Sequence, residues 1–352
     1  MPRMPQLQWD LFCRVVDNFG DVGVCWRLAA DLAARGERVR LWVDDARALA
    51  WMAPGGAAGV ELQAWPDAED DTRPVGDVVV EAFGCELPPA VLVRIAEKAA
   101  EAPRKPVWIN LEYLSAEGYV ERSHRLRSPQ MHGPARGFSK WFFYPGFTAA
   151  TGGLLREPEL MAQREAFDRD AWLAAHRIAP QPGEQLASLF CYQVPSVEAL
   201  LGCLDHAGHE RTLLLVPGTA PPLPALPPSV RVQSLPYLTQ PDFDRLLWAC
   251  DLNFVRGEDS LVRALWAGRP FIWQIYPQHD GVHELKLQAF LDRFDASPDI
   301  RAAWRAWNGL QAAPVAGPDR ASWQAQCLIW RKALLAQTDL ASQLLSFVAE
   351  SL

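Results

Sequence analysis

The chain has 352 residues, 49% of them hydrophobic and 22% charged, with a formal net charge of −8. That length supports two domains with buried cores, and an acidic balance with scattered basic residues lacks the cationic footprint that binding a nucleic-acid backbone needs. The seven cysteines form no Cys-x-x-Cys spacing and sit in apolar runs as small hydrophobes do, which points to a reducing cytoplasm; no apolar signal region or membrane span is evident.

Leu7 to Val16 is an apolar run ending in Asp17-Asn18-Phe19-Gly20-Asp21-Val22-Gly23. Trp26, Leu28, Leu32 and Ala33 then recur at helical spacing until Gly36, and Val39 to Val43 reads as a second strand. A strand, a glycine loop, a helix and a strand open a doubly wound sheet. Short apolar runs at Val78 to Val80, Val107 to Asn110 and Trp141 to Tyr144, with a helical pattern from Pro89 to Ala100, continue the alternation. Thr151-Gly152-Gly153, a polar helical stretch and Pro180-Gln181-Pro182-Gly183 mark the passage to a second unit. Its strands are expected at Leu186 to Tyr192, Thr212 to Val216, Val230 to Leu235, Leu252 to Val255 and Phe271 to Ile275, with an irregular loop over Pro217 to Pro228. Trp323 to Leu352 reads as helical. The expected division is 1–155, 156–330 and a terminal helix over 331–352 that crosses back onto the first domain.

Two loops carry most of the chemistry. The first presents Asp17 and Asp21 around Gly20 and Gly23 at the carboxyl end of the first strand; two acids exceed what a helix cap requires, and no lysine is present to bind phosphate. The second, Arg256-Gly257-Glu258-Asp259-Ser260, follows a strand and enters a short helix that Gly268 ends. Asp259 or Ser260 can cap that helix, whose free amides favour an anion such as a diphosphate. Such a loop is similar to the nucleotide-sugar loop of two-domain glycosyltransferases. Phe190 and Tyr192 at one strand end, with Tyr237, Gln240 and Phe243 around a Pro-Tyr-Leu-Thr-Gln-Pro turn, are either core aromatics or a base-stacking pocket in which Gln240 meets a pyrimidine edge. His279 and His283 stand four apart without a third ligand, so no metal site is expected.

The stretches Phe12 to Leu28, Leu111-Glu112-Tyr113-Leu114-Ser115-Ala116-Glu117, Phe143-Tyr144-Pro145-Gly146-Phe147 and Arg256 to Ser260 through Ile275-Tyr276-Pro277-Gln278 resemble the bacterial protein-arginine rhamnosyltransferases that modify translation elongation factor P, the EarP family. The resemblance covers both halves of the chain. It implies an α/β GT-B fold of two Rossmann-like domains facing across a cleft, with an N-terminal acceptor domain and a C-terminal domain for dTDP-β-L-rhamnose. It also implies inverting transfer to an arginine on the N-terminal domain of the factor, without a metal or other cofactor. Carried onto matching positions, the acceptor-side acids are Asp17 and Asp21, and the essential glutamate is Glu258. The donor contacts are Phe190, Tyr192, Tyr237, Gln240, Phe243, Arg256, Glu258, Asp259 and Ser260, with Tyr237 standing where phenylalanine is common.

A guanidinium is charged and its lone pairs are delocalised, so it needs a carboxylate to orient it and take its proton. Asp21 is the expected base, Asp17 holds the guanidinium or supports the loop, and Glu258 binds sugar hydroxyls or the incoming guanidinium. Arg256, the Ser260 hydroxyl and the helix amides meet the charge of the leaving diphosphate. The competing readings are a GT-B enzyme for a small-molecule or glycan acceptor and a sugar-nucleotide sensor that does not turn over.

Overall fold

The computed structural model describes the whole chain except residues 1–5, 17–18, 66, 205–210, 220, 278–280 and 314–316. It divides into two compact units, Met1–Glu157 together with Gln337–Leu352, and Pro158–Ala336.

The first unit runs β1 (Gln8–Cys13), α1 (Gly20–Ala34), β2 (Arg38–Val43), α2 (Leu49–Met52), β3 (Val60–Ala64), α3 (Asp67–Asp70) and β4 (Val78–Ala82). It continues with α4 (Pro89–Glu101), β5 (Val107–Leu111), α5 (Gly118–Ser123), β6 (Arg127–Pro129) and β7 (Ser139–Phe143). The described strands form a seven-stranded sheet in the order β3-β2-β1-β4-β5-β7-β6, parallel except where β6 pairs antiparallel with β7. Both faces are covered, as near-continuous apolar strands require. Successive residues alternate between them. Leu11, Leu41, Val80 and Ile109 join a core with Leu28 and Leu32 of α1, whereas Phe12, Trp42, Val79 and Trp108 join another with Val91 and Ile95 of α4.

The second unit runs α6 (Leu160–Glu165), α7 (Arg169–Ala175), β8 (Glu184–Leu189), α8 (Val197–Leu204), β9 (Arg211–Pro217), β10 (Val230–Leu235) and α9 (Gln240–Ala249). After these come β11 (Leu252–Arg256), α10 (Gly257–Ala267), β12 (Phe271–Gln274), α11 (Val282–Arg293), α12 (Pro298–Trp307) and α13 (Arg320–Leu335). Its sheet is parallel in the order β10-β9-β8-β11-β12. Helices α9 and α10 are joined by a buried, two-pronged ion pair, with Arg263 Nε and Nη2 donating to Asp244 Oδ1 and Oδ2 at 2.9 and 2.7 Å. Behind β12, Phe271, Phe290, Phe294 and Trp304 make a contiguous cluster of edge and stacked ring contacts.

The last helix, α14 (Leu340–Ser351), belongs to the first unit. Its Leu340, Ala341, Leu344, Phe347 and Val348 complete the core beneath α1. Three sequence expectations differ from this picture. The strand at Val60–Ala64 was not anticipated, because it is an edge strand with mostly exposed or half-buried positions. The single helix expected over Trp323 to Leu352 is broken into α13 and α14, where Asp339 accepts the Ser342 amide and starts a new helix. Thr151 to Gly153 lies inside the first unit as a bonded turn, with Gly152 N–H donating to Tyr144 O at 2.7 Å, and the chain passes to the second unit at Glu157.

Candidate active site

An open parallel sheet offers a ligand crevice outside the carboxyl ends of its strands at the point where the strand order reverses. In the second unit the chain leaves β8 toward β9 and β10 and returns on the other side as β11 and β12, so the crevice lies between the ends of β8 and β11. Phe190, Cys191 and Tyr192 leave β8 there, and Arg256 ends β11.

These residues form one cluster. The Arg256 guanidinium carbon lies 4.5 Å from the Phe190 ring centre and 4.7 Å from that of Tyr192, while Nη1 donates to the Cys191 carbonyl at 3.2 Å. Two aromatic rings and a carbonyl thus hold a cation at the mouth of the crevice. Phe243 of α9 meets Phe190 edge-on at 5.2 Å, and Tyr276 meets Tyr192 edge-on at 5.4 Å. Gln274 fixes the chain after β8, its Oε1 accepting the Tyr192 amide at 2.7 Å and its Nε2 donating to Gln193 O at 2.9 Å.

The loop after β11 turns without a conventional side-chain cap. Gly257 has φ +66°, a left-handed conformation that glycine adopts without strain, and α10 begins there with Arg256 in the N-cap position. The expected cap by Asp259 or Ser260 is not formed, because the helix already starts at Gly257 and both lie inside its first turn. The buried Ser260 hydroxyl instead accepts the Arg256 amide at 3.1 Å and donates to the Arg256 carbonyl. The helix ends as expected at Gly268, with φ +63°. Glu258, in the first turn, accepts from Lys286 Nζ of α11 at 2.7 Å. Tyr237 and Gln240 lie before and at the start of α9, the helix that carries Phe243. The exposed Tyr237 shares a hydrogen bond of 2.5 Å with the Thr219 hydroxyl, and the buried Gln240 opens α9 behind the Thr239 cap.

The reversal in the first unit lies between β1 and β4. Asp21, in the first turn of α1, is buried, and its Oδ2 accepts the Val16 amide at 2.8 Å, which ties the loop after β1 to the helix. Asp17 lies outside the described residues, as does His279. Across the crevice the chain after β4 holds three of its first four residues in the left-handed region, Phe83, Gly84 and Glu86. The loop is pinned to β1 by Cys85 Sγ against the Phe12 carbonyl at 3.3 Å. Next to it Glu81 is fully buried and paired with Lys140 at 3.1 Å. Burial pushes the Glu112 carboxyl above its ordinary value, although Asn110 Nδ2 donates to it at 2.6 Å. Tyr113 stacks on Phe83 at 4.5 Å.

The structure therefore brings Phe190, Tyr192, Phe243 and Arg256 into direct contact, with Glu258, Asp259 and Ser260 in the adjoining helical turn. Lys286, Gln274 and Tyr276 join them. Sequence reading passed over these three because their partners are 28, 82 and 84 residues away in the chain. Among the described residues no three His, Cys, Asp or Glu side chains are grouped to hold a metal ion, and no helix is long and apolar enough to cross a membrane.

Two largely parallel sheets, each with a crevice at its reversal point, make up a GT-B fold. The spinosyn rhamnosyltransferase SpnG shares the fold at a TM-score of 0.52 and 13% identity, covering 98% of this chain and all of the other. The chain belongs to the family of elongation-factor P (EF-P) rhamnosyltransferases, EarP, whose model matches residues 9–349. It is 43% identical to the protein-arginine rhamnosyltransferase of Pseudomonas putida KT2440, over 98% of this chain and 99% of that relative. A solved structure showing the basis of EarP-mediated arginine glycosylation of EF-P is 33% identical, with a TM-score of 0.62, covering 99% of this chain and all of the other.

Proposed function

We propose that this protein transfers L-rhamnose from dTDP-β-L-rhamnose to one arginine side chain of translation elongation factor P in the cytoplasm, with inversion and without a metal, and so activates the factor. The observation that carries the donor assignment is the Arg256 guanidinium held between Phe190 and Tyr192 at the β8/β11 crevice, beside the amino end of α10. A diphosphate placed there meets a cation and free helix amides together, the arrangement that stabilises a leaving group as its charge grows. Phe243, against Phe190, with Gln240 one turn earlier on the same helix and Tyr237 just before it, suits a thymine ring and its polar edge. In this reading Glu258, Asp259 and Ser260 serve the sugar and its phosphates.

In this reading a guanidinium nitrogen of the acceptor attacks the rhamnose anomeric carbon, the bond from that carbon to the diphosphate oxygen breaks, and dTDP leaves with the electron pair. The proton released from the guanidinium passes to Asp21, whose carboxylate is oriented by the Val16 amide. Asp17 supports the guanidinium or the loop, and Glu258, held by Lys286, binds sugar hydroxyls or the incoming guanidinium. The test is intact-mass analysis of EF-P incubated with enzyme and dTDP-β-L-rhamnose. A gain of one deoxyhexose is expected. Unmodified EF-P alongside glycosylation of a small acceptor would favour the competing reading.

A further inference from the structure

β12 lies at the end of the described sheet, so the outward-facing backbone groups of this strand need partners from elsewhere. The Asn308 side chain, at the end of α12, supplies them. Its Oδ1 accepts the Ile275 amide at 2.9 Å and its Nδ2 donates to the Trp273 carbonyl at 2.9 Å, as a neighbouring strand would. Between these two residues stands Gln274, in register with Arg256 of β11 and only 5% exposed.

The Gln274 side chain does not serve its own strand. Its Oε1 accepts the Tyr192 amide at 2.7 Å and the Gln193 amide at 3.3 Å, and its Nε2 donates to the Gln193 carbonyl at 2.9 Å. Those partners follow β8, on the far side of β11. Strands two places apart lie about 9–10 Å from each other, more than a glutamine side chain and one hydrogen bond span, so the chain after β8 must lean over the end of β11. Phe190 is still held by the sheet, its amide donating to the Phe254 carbonyl at 3.0 Å, whereas two residues later Tyr192 is held by Gln274. The Arg256 guanidinium sits against both rings, 4.5 Å from one centre and 4.7 Å from the other. One ring of the pair thus owes its place to strand pairing and the other to a single side chain. A binding surface ordered in advance spares the ligand the cost of ordering it.

We infer that Gln274, seated by Asn308, is a positioning residue for the nucleotide-sugar donor, acting through Tyr192 and Arg256 rather than by contact with the donor itself. The inference rests on the reading that Arg256 and its two rings bind the donor. It is tested by calorimetric titration of dTDP-β-L-rhamnose into the wild type, Gln274→Met, Arg256→Ala and the Gln274→Met/Arg256→Ala double variant, with Asn308→Ala one step further back, followed by steady-state kinetics. Methionine keeps the length of the side chain and loses its three hydrogen bonds. Gln274→Met is expected to weaken donor binding roughly tenfold and Asn308→Ala roughly threefold, each with a matching rise in the donor KM, while kcat and the KM for EF-P stay within about twofold. In the Arg256→Ala background the loss from Gln274→Met shrinks to less than about twofold, because the contact that it supports is already gone. Wild-type donor affinity in Gln274→Met, or in Asn308→Ala should Gln274→Met not fold, overturns the positioning role and leaves the donor reading intact. A tenfold loss repeated in the Arg256→Ala background overturns it as well, since a general loosening of the unit acts alike on either background. A folded wild type that binds no dTDP-β-L-rhamnose overturns the donor reading itself, and this inference with it.

Discussion

Lys286 holds its ammonium nitrogen 2.7 Å from Oε1 of Glu258, so a carboxylate in the first turn of α10 is oriented by a cation from α11. Glu258 on its own would add negative charge beside a bound diphosphate, and Lys286 offsets it. Lys286→Met is therefore expected to lower turnover about tenfold while shifting stability by only about 1 kcal/mol, since an ion pair within reach of solvent contributes little to folding. Steady-state rates and thermal melts on one preparation check this. Wild-type turnover would remove the pair from the chemistry.

Arg256 holds its guanidinium carbon within 4.5 and 4.7 Å of the Phe190 and Tyr192 ring centres, and that double contact separates it from lysine. Arg256→Ala should weaken dTDP-rhamnose binding by about 1–3 kcal/mol in calorimetric titration. Arg256→Lys should recover little of the loss, because an ammonium cannot stack on two rings and reach the Cys191 carbonyl together. Wild-type affinity in both variants places the donor elsewhere.

Asp21 accepts the Val16 amide through Oδ2, a bond that asparagine can keep through its own carbonyl oxygen. Asp21→Asn is thus expected to retain the fold and donor affinity while turnover falls by roughly a hundredfold or more, the scale of general-base removal. Near-normal turnover would shift the base to Asp17 or Glu258.

The buried pair between Asp244 and Arg263 supports the helix that carries Glu258. Asp244→Ala should destabilise the protein by about 3–5 kcal/mol in denaturant melts, because it removes the two-pronged acceptor of a buried guanidinium. Replacing both residues by leucine and methionine should restore much of that loss.

His124 is half-buried, and burial lowers its pKa to about 4, below the ordinary 6.5. Its Nδ1 accepts the Tyr144 amide at 3.1 Å, which requires the neutral ring. The unfolded chain therefore binds the proton more readily, so the stabilisation is present above about pH 6.5 and is lost as the pH falls toward about 4. Melting temperatures at pH 7 and pH 5 should differ more for the wild type than for His124→Gln, and equal differences would show that this histidine does not titrate on unfolding.

The part of the candidate site that was legible in the sequence lies within one short stretch of chain. Gly257, Gly268 and the apolar strand that follows define β11, α10 and β12 because each uses a local conformational rule. Its starting point was less clear. An acid or serine near a helix start reads as a cap, yet Ser260 bonds the Arg256 backbone from inside the first turn. Lys286, Gln274 and Tyr276 were not legible, since pairing across strands and helices leaves no spacing signal. The break between α13 and α14 was hidden because apolar residues continue at helical spacing through it.

The return of α14 sets an order of events during synthesis. The second unit is continuous, so all of its residues are made before α14, whereas the first unit lacks Leu344, Phe347 and Val348 until the whole second unit has been translated. The unit that is begun first is thus completed after the other, and the helix bearing Asp21 meets its full core only once the chain has come back from the second unit.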